Sequence, residues 1–275
     1  MRLLVVGASG HLGGEISRQA LAAGWEVVGT FARSPGLLPG LRWERLDVRD
    51  RAAVHGLVRA VRPAALVSTA WGDWAVSADG AGHVAAAAAD IGARLVHLSS
   101  DAVHGGRSDP YGDDEPPTPV HEYGAAKAAA ETAVRLVDPG AALVRCSLIV
   151  GDEHSKHVKL CLDLLTGRRA GALFSDEVRC PVAVEDLAAA VLELVRSDFA
   201  GIVNVTGPEA VSRPEFGALV ARRYGLDASR MPVRTIAEAG LPRPGEVRLD
   251  IALAQGLLRT RLRGVSEVLG SILPA

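Results

Sequence analysis

The sequence predicts an α/β chain, a doubly wound parallel sheet with a smaller C-terminal substrate-binding lobe. Three observations predict it. Short, continuously apolar runs such as Leu3-Leu4-Val5-Val6 recur, as expected of strands covered on both faces. Segments of helical character separate those runs. The first run passes at once into Gly7-Ala8-Ser9-Gly10-His11-Leu12-Gly13, a spacing that suits a dinucleotide-binding turn.

Taken in order, that turn leads into a helix from about Gly14 to Ala23, stopped by Gly24. Gly7 permits the tight turn, Gly10 admits a pyrophosphate, and Gly13 lets helix and strand pack closely. Ser9, His11 and Leu12 lie in the same cofactor stretch, with the pyrophosphate on the helix N-terminus. The alternative is an ordinary glycine-rich turn. Trp25 to Phe31 is the second strand. It ends Thr30-Phe31-Ala32-Arg33-Ser34, without the acid that marks NAD binding. Arg33 and Ser34 suit a 2′-phosphate, so NADP(H) is expected over NAD(H); otherwise Arg33 is a surface residue. Leu41 to Leu46 is the third strand. After it, Asp47 and Val48 meet the adenine edge, or Asp47 caps a helix from Arg51 to Val61 that Pro63 ends.

Ala65 to Thr69 is the fourth strand and opens into Ala70-Trp71-Gly72-Asp73-Trp74. Trp71 and Trp74 either wall the nicotinamide or substrate pocket or pack as hydrophobic surface. A helix from about Ala81 to Ile91 leads to the fifth strand, Leu95 to Leu98, closed by Ser99-Ser100-Asp101. A hydroxyl at Ser100 either polarises a substrate carbonyl or caps a turn. Residues 105–119, rich in Gly, Asp and Pro, read as a loop or flap. Ala142 to Leu148 is the sixth strand.

Between flap and sixth strand stands VHEYGAAKAAAE, Val120 to Glu131. Tyr123 and Lys127 are four apart in a helical segment and so share a face. An ammonium beside a phenol favours the phenolate and lowers its pKa, which suits a proton donor and acceptor. The chain holds only three lysines and three tyrosines and otherwise takes its positive charge from arginine. The competing reading is a surface pair without chemistry.

Beyond Gly151 the alternation loosens. His154-Ser155-Lys156-His157 suits a solvated turn or a phosphate contact better than a metal. Helices are expected at Asp186 to Arg196, Arg213 to Tyr224 and Ala252 to Leu262, with a strand at Gly201 to Val205 and a short tail. Leu241 to Leu249 reads as an ordered loop, whose Arg243 and Arg248 suit a diphosphate. Residues 1–150, with 182–206 returning to them, form the expected cofactor domain. Residues 151–181 and 207–275 form the lobe.

The 275 residues can bury a substantial core, and a net charge of −2 offers no basic field for nucleic acid or an anionic membrane. Three cysteines without metal spacing read as reduced thiols of a cytoplasmic protein. The N-terminus reads as a strand, not a signal peptide. No metal is expected, and a monomer or homodimer is.

Gly7–Gly13, Ser99 to Val103, Tyr123 to Lys127, Val144 to Gly151, Asp176 to Ala188 and Arg243 to Asp250 together resemble the extended short-chain dehydrogenase/reductases. The resemblance is to their dTDP-4-dehydrorhamnose reductase-like branch and covers nearly the whole chain. It implies a Rossmann fold and a catalytic triad of Ser100, Tyr123 and Lys127, with Tyr123 and Lys127 also at the cofactor. It implies hydride transfer from NADPH to a 4-keto-6-deoxy sugar on a nucleoside diphosphate. Ala70 and Trp71 complete the expected cofactor contacts. Trp71, Trp74, Ser100, Arg179, Arg243 and Arg248 are the expected substrate contacts. Two features depart from the family pattern, both toward the substrate. The loop after the fourth strand is short, with Ser77 or a neighbour where the family has an asparagine, and residues 251–254 hold no lysine. A regulatory subunit resembling the β subunit of methionine adenosyltransferase, or an epimerase or ketoreductase for another substrate, is the alternative.

Overall fold

The computed structural model describes residues 1–270. The last five residues of the expected lobe, with part of the expected tail, lie outside the described residues. The first half alternates strand and helix: β1 (Arg2–Val6), α1 (His11–Ala22), β2 (Glu26–Phe31), β3 (Arg42–Arg45), α2 (Arg51–Val61), β4 (Ala65–Ser68), α3 (Gly80–Asp90), β5 (Arg94–Ser100), α4 (Glu122–Val137) and β6 (Ala142–Cys146). The apolar run of β1 resolves into two faces. Leu3 and Val5 join one core cluster with α1, while Leu4 and Val6 join a second beneath α2 and α3. Side chains alternate across a strand, so a sheet covered on both sides needs apolar residues at every position.

Past β6 the elements shorten: β7 (Ile149–Val150), α5 (Lys156–Leu165), β8 (Leu173–Phe174), β9 (Val178–Arg179) and β10 (Val182–Ala183). Then follow α6 (Val184–Val195), β11 (Gly201–Asn204), β12 (Val211–Ser212), α7 (Arg213–Arg223), β13 (Val233–Arg234), α8 (Ile236–Ala239), α9 (Ala252–Leu257) and α10 (Val265–Leu269). The central sheet has seven strands in the order β11-β6-β5-β4-β1-β2-β3. Each pairing in it is parallel. The sheet is therefore the expected doubly wound one. Its strand order reverses between β1 and β4, the place where open sheets of this kind take a ligand. Val158, Leu164, Leu173, Phe216, Val220 and Leu269 form a separate core between α5 and α7. Ile251, Ala254, Leu258 and Leu262 return to the sheet core, so the chain comes back to the sheet again after the lobe.

Several expected boundaries move, each for a local reason. Asp47 does not cap α2; Asp50 does, accepting from the Ala53 amide at 3.0 Å. The helix expected from Ala81 starts earlier, as a π-helical turn over Ala75–Asp79. Asp73 accepts from the Val76 amide, and the Ser77 hydroxyl closes on Gly72, which starts the turn early. The helix expected to reach Leu262 stops at Leu257. Glu193 takes the Arg259 and Thr260 amides, both at 2.7 Å, and draws the chain out of the helix. Residues 104–118 are a docked strap. Tyr111 pairs with Leu249, and the Arg107 amide donates to Glu246 O. Among the described residues no helix is long and apolar enough to cross a membrane.

Candidate active site

Because the seven strands are parallel, the turns after them gather at one edge of the sheet. Gly7–Gly13, Arg33 and Ser34, Asp47 and Val48, Ala70 and Trp71, and Ser100 are thereby brought to one side. Gly7 has φ +88°, and a Cβ there would lie 2.8 Å from Thr69 Oγ1. A Cβ on Gly13 would lie 2.3 Å from Gly7 O, so helix and turn close only around glycine. Two hydroxyls that the sequence reading did not single out fix this turn. Gly7 N donates to Thr30 Oγ1 at 3.0 Å, and Thr69 Oγ1 donates to Val6 O at 2.9 Å. Gly10 begins α1 without a side-chain cap. The first amides of α1 therefore lack an internal acceptor, and a cradle of bare backbone at a helix N-terminus fits a dinucleotide pyrophosphate. Arg33 and Ser34 are exposed beside it. Asp47 is instead engaged by the Arg49 guanidinium and amide, which hold its carboxyl down at about 2. Val48 is buried beneath Gly80, where a Cβ would meet it at 2.6 Å.

α4 carries a stripe at four-residue spacing: Tyr123, Lys127, Glu131. Its lower end is locked. Glu131 holds Arg145 through two hydrogen bonds of 2.9 and 2.8 Å and accepts from Ser99 Oγ at 2.6 Å, all buried. Arg145 also donates to Glu115 O and Asp113 O of the strap. Lys127 is buried and donates to Leu98 O at 2.8 Å, and burial pushes its amine down to about 8. Tyr123 is 37% exposed as a residue, but its phenol is desolvated and faces Cys146, Ser100 and Asp101. Burial first, then Cys146 and Asp101, push the phenol above its ordinary value; a hydrogen bond to Ser100 opposes them. The expectation that Lys127 lowers the Tyr123 pKa is corrected here. The ammonium is turned onto the β5 backbone, and the phenol is held protonated.

Ser100 ends β5 and donates to Asp101 Oδ1 at 3.1 Å. Asp101 is buried, accepts from Ser147 Oγ at 2.7 Å, and lies 3.6 Å from Arg179 Nε. Burial raises its pKa, and Arg179, Ser147 and Ser100 resist the rise. Asp101 and Ser147 belong to the centre, though the sequence reading gave them no role.

Arg179 is buried rather than open to solvent, with its guanidinium on the carbonyls of Val178, Pro244 and Gly245. Arg243 pairs with Glu177 at 2.9 Å and lies over the Phe174 ring. Arg248 pairs with Glu246 at the surface. Trp71 and Trp74 are exposed, and Lys156 places its ammonium 4.7 Å over the Trp71 ring, joining the lobe to the loop after β4. Arg213, which was not anticipated, is buried, 3.8 Å from Glu177, with one terminal nitrogen lacking a hydrogen-bond partner among the described residues. A cation at the first position of a helix opposes the helix dipole. That misplacement in Ser212-Arg213-Pro214-Glu215 was the sequence signal for it. Burial, with Arg213, Lys156, Arg243 and Arg179 nearby, pushes His157 down to about 3, so it is neutral. Arg179 and Asp101 offset one another. Lys156, Arg213 and Arg243 gather around His157, and of the three Arg213 and Arg243 reach the carboxylate of Glu177, so cations exceed carboxylates at this corner.

The family model described as the RmlD substrate binding domain matches residues 1–273. The dTDP-4-dehydrorhamnose reductase of Mycobacterium tuberculosis is 30% identical over 260 residues, 88% of this chain and 81% of the relative. Methionine adenosyltransferase 2 subunit beta of Pongo abelii is 27% identical over 295 residues, 98% of this chain and 87% of that one. A Bacillus anthracis dTDP-4-dehydrorhamnose reductase crystallised with NADP superimposes with a TM-score of 0.82 at 23% identity, over 98% of this chain and 96% of that one. The structural likeness establishes the fold.

Proposed function

The chain belongs to the RmlD substrate binding domain family, and on that premise we propose that it is an NAD(P)-dependent reductase of a keto group on a nucleotide-linked 4-keto-6-deoxy sugar. The observation that carries the reading is the meeting of Ser100, Tyr123 and Lys127 at the sheet edge, next to a lobe whose cations outnumber its carboxylate. The relatives support it: one is a dTDP-4-dehydrorhamnose reductase, and a neighbour of that name was crystallised with NADP.

When bound, the nicotinamide supplies hydride to the carbonyl carbon. Tyr123 gives its phenol proton to the carbonyl oxygen, and Ser100 orients that oxygen by hydrogen bonding. The raised Tyr123 pKa keeps the phenol in the form that reduction consumes. Lys127 serves at the cofactor side and supports the phenol once its charge develops. In the lobe, Lys156, Arg213 and Arg243 hold the diphosphate, and the exposed rings of Trp71 and Trp74 border the entrance. We assign the division of labour accordingly: the sheet half to the cofactor and the lobe to the substrate.

Arg33 and Ser34, with no acid at the end of β2, favour NADPH over NADH. Arg33→Ala is expected to weaken NADPH roughly tenfold and to leave NADH unchanged; equal losses in a titration of both would remove Arg33 from phosphate recognition. The function itself is tested by following NADPH absorbance with dTDP-4-keto-6-deoxy sugars. Oxidation by the wild type and none by Tyr123→Phe is the expected result. The likeness to methionine adenosyltransferase 2 subunit beta favours a second reading, a non-catalytic regulatory subunit. NADPH binding without turnover of any ketone would select it.

A further inference from the structure

The catalytic helix α4 starts on an unusual cap. Ser, Thr, Asp and Asn are the usual residues there, with side-chain oxygens that stay acceptors near neutral pH. Here the cap is His121, whose Nδ1 accepts from the Gly124 amide at 2.9 Å. Tyr123 is the second residue of the helix, inside the turn that this bond closes, and its ring lies 6.2 Å from the imidazole. Gly124 is itself tightly seated. A Cβ there would lie 2.1 Å from Ala102 O and 3.1 Å from Pro119 Cβ. Ala102 belongs to the 3₁₀ turn, Asp101–Val103, that immediately follows Ser100. The amide that His121 holds therefore packs against the turn next to Ser100, and the cap sets how Tyr123 stands relative to Ser100.

An imidazole accepts a hydrogen bond only through an unprotonated nitrogen. A protonated His121 donates from both nitrogens, so the Gly124 amide loses its acceptor. It also places a cation at the positive end of the helix dipole. Both effects act in the same direction and at the same turn.

We propose that His121 is a positioning residue that makes the seating of Tyr123 depend on pH: neutral, it clamps the first turn of α4, and protonated, it releases it. The role in turnover rests on the reductase reading. The titratable groups around this corner are Glu122 and Tyr123 on α4, Asp101 in the 3₁₀ turn packed against it, and Cys146 and Lys127 deeper in the site. All of them remain in His121→Asn and His121→Ser, which keep a capping acceptor and remove only the titration.

The test compares kcat against pH for wild type, His121→Asn, His121→Ser and His121→Ala. The acid limb of the wild type is expected to move to lower pH in the Asn and Ser variants. His121→Ala is expected to turn over several-fold more slowly across the range. Superimposable acid limbs in wild type and both capped variants overturn the proposal. A second measurement needs no substrate. Hydrogen exchange at the Gly124 amide, taken as the ratio of His121→Asn to wild type, is read at about pH 8 and about pH 5. Equal protection at the higher pH and about fivefold less in the wild type at the lower pH is expected, the equivalent of one typical cap. An unchanged ratio at both overturns the proposal. Loss of protection in a protein that reduces no ketone refutes the reductase reading and leaves the cap assignment standing.

Discussion

The sheet half and the lobe are held together in different ways. In the sheet half, strands of four to seven residues are stitched by parallel ladders, and Arg145 is fully committed to Glu131 and the strap. In the lobe, β8, β9, β12 and β13 have two residues each, and Arg179 binds neighbouring carbonyls to link the segments. One of its buried arginines, Arg213, has a nitrogen without a hydrogen-bond partner among the described residues. On the proposed function, the difference teaches a division of labour: regular backbone would fix chemistry that must be exact in position, and irregular chain would leave charge for a ligand.

That division can be broken by experiment. The largest expected effect is Tyr123→Phe, which should lower kcat by about 10²- to 10⁴-fold with cofactor affinity retained. A loss of cofactor binding of the same size would mean that Tyr123 is structural. Next, Glu131→Ala leaves Arg145 buried without its carboxylate. It should cost about 3–5 kcal/mol in urea unfolding. Arg243→Ala, which removes a half-exposed cation and leaves Glu177 with Arg179 and Arg213, should cost less than about 1 kcal/mol. Equal costs would erase the contrast.

A pH experiment sharpens it. Lys127 loses its proton near about 8 in the fold but at the ordinary 10.5 when unfolded. Between those values the unfolded chain binds the extra proton, so this group's contribution makes stability rise with pH, and it is smallest below pH 8. Cys146, pushed up to about 12, acts in the opposite direction. The difference between wild type and Lys127→Met isolates the rising part, on the order of 1–3 kcal/mol across the window. A flat difference would show that Lys127 titrates normally. The last test is in the lobe. Arg213→Met should raise KM for a nucleotide sugar about 10- to 100-fold, with kcat and cofactor binding little changed. A fall in kcat at constant KM would place Arg213 in the chemistry.

Much of the sheet half was legible because its signals are local. An apolar run, a glycine spacing and a Tyr-x-x-x-Lys pair each act within a few residues. The order of β1 to β6 and the grouping of Gly7, Ser100, Tyr123 and Lys127 followed from them. The orientation of Lys127 was not legible, because Leu98 O and the burial that lowers the pKa of the amine come from tertiary packing, outside the helix that carries it. Nor were Asp101, Ser147 and Arg213: Asp101 and Ser147 meet across 46 residues, Asp101 and Arg179 across 78, and Arg213 and Glu177 across 36. The helix start at Ala75 and the cap at Asp50 were missed for a smaller reason: in each case one side chain, Asp73 or Asp50, takes an amide of the first turn.

The return of α6 and β11 to the sheet has a consequence for how the chain is made. Val96, Leu98 and Val144 belong to the face that Leu187, Val191 and Leu194 of α6 help cover, and β11 pairs with β6 at the sheet edge. When the ribosome has released β6, that face still lacks α6, and the edge of β6 has no partner. Roughly 60 further residues, including α5 and the first lobe strands, must emerge before both are closed. At about 5–20 residues per second this takes about 3–12 s. The nascent chain is thus sticky during a defined interval of synthesis, and a stall between residues 146 and 204 would yield an aggregation-prone fragment, not a closed sheet.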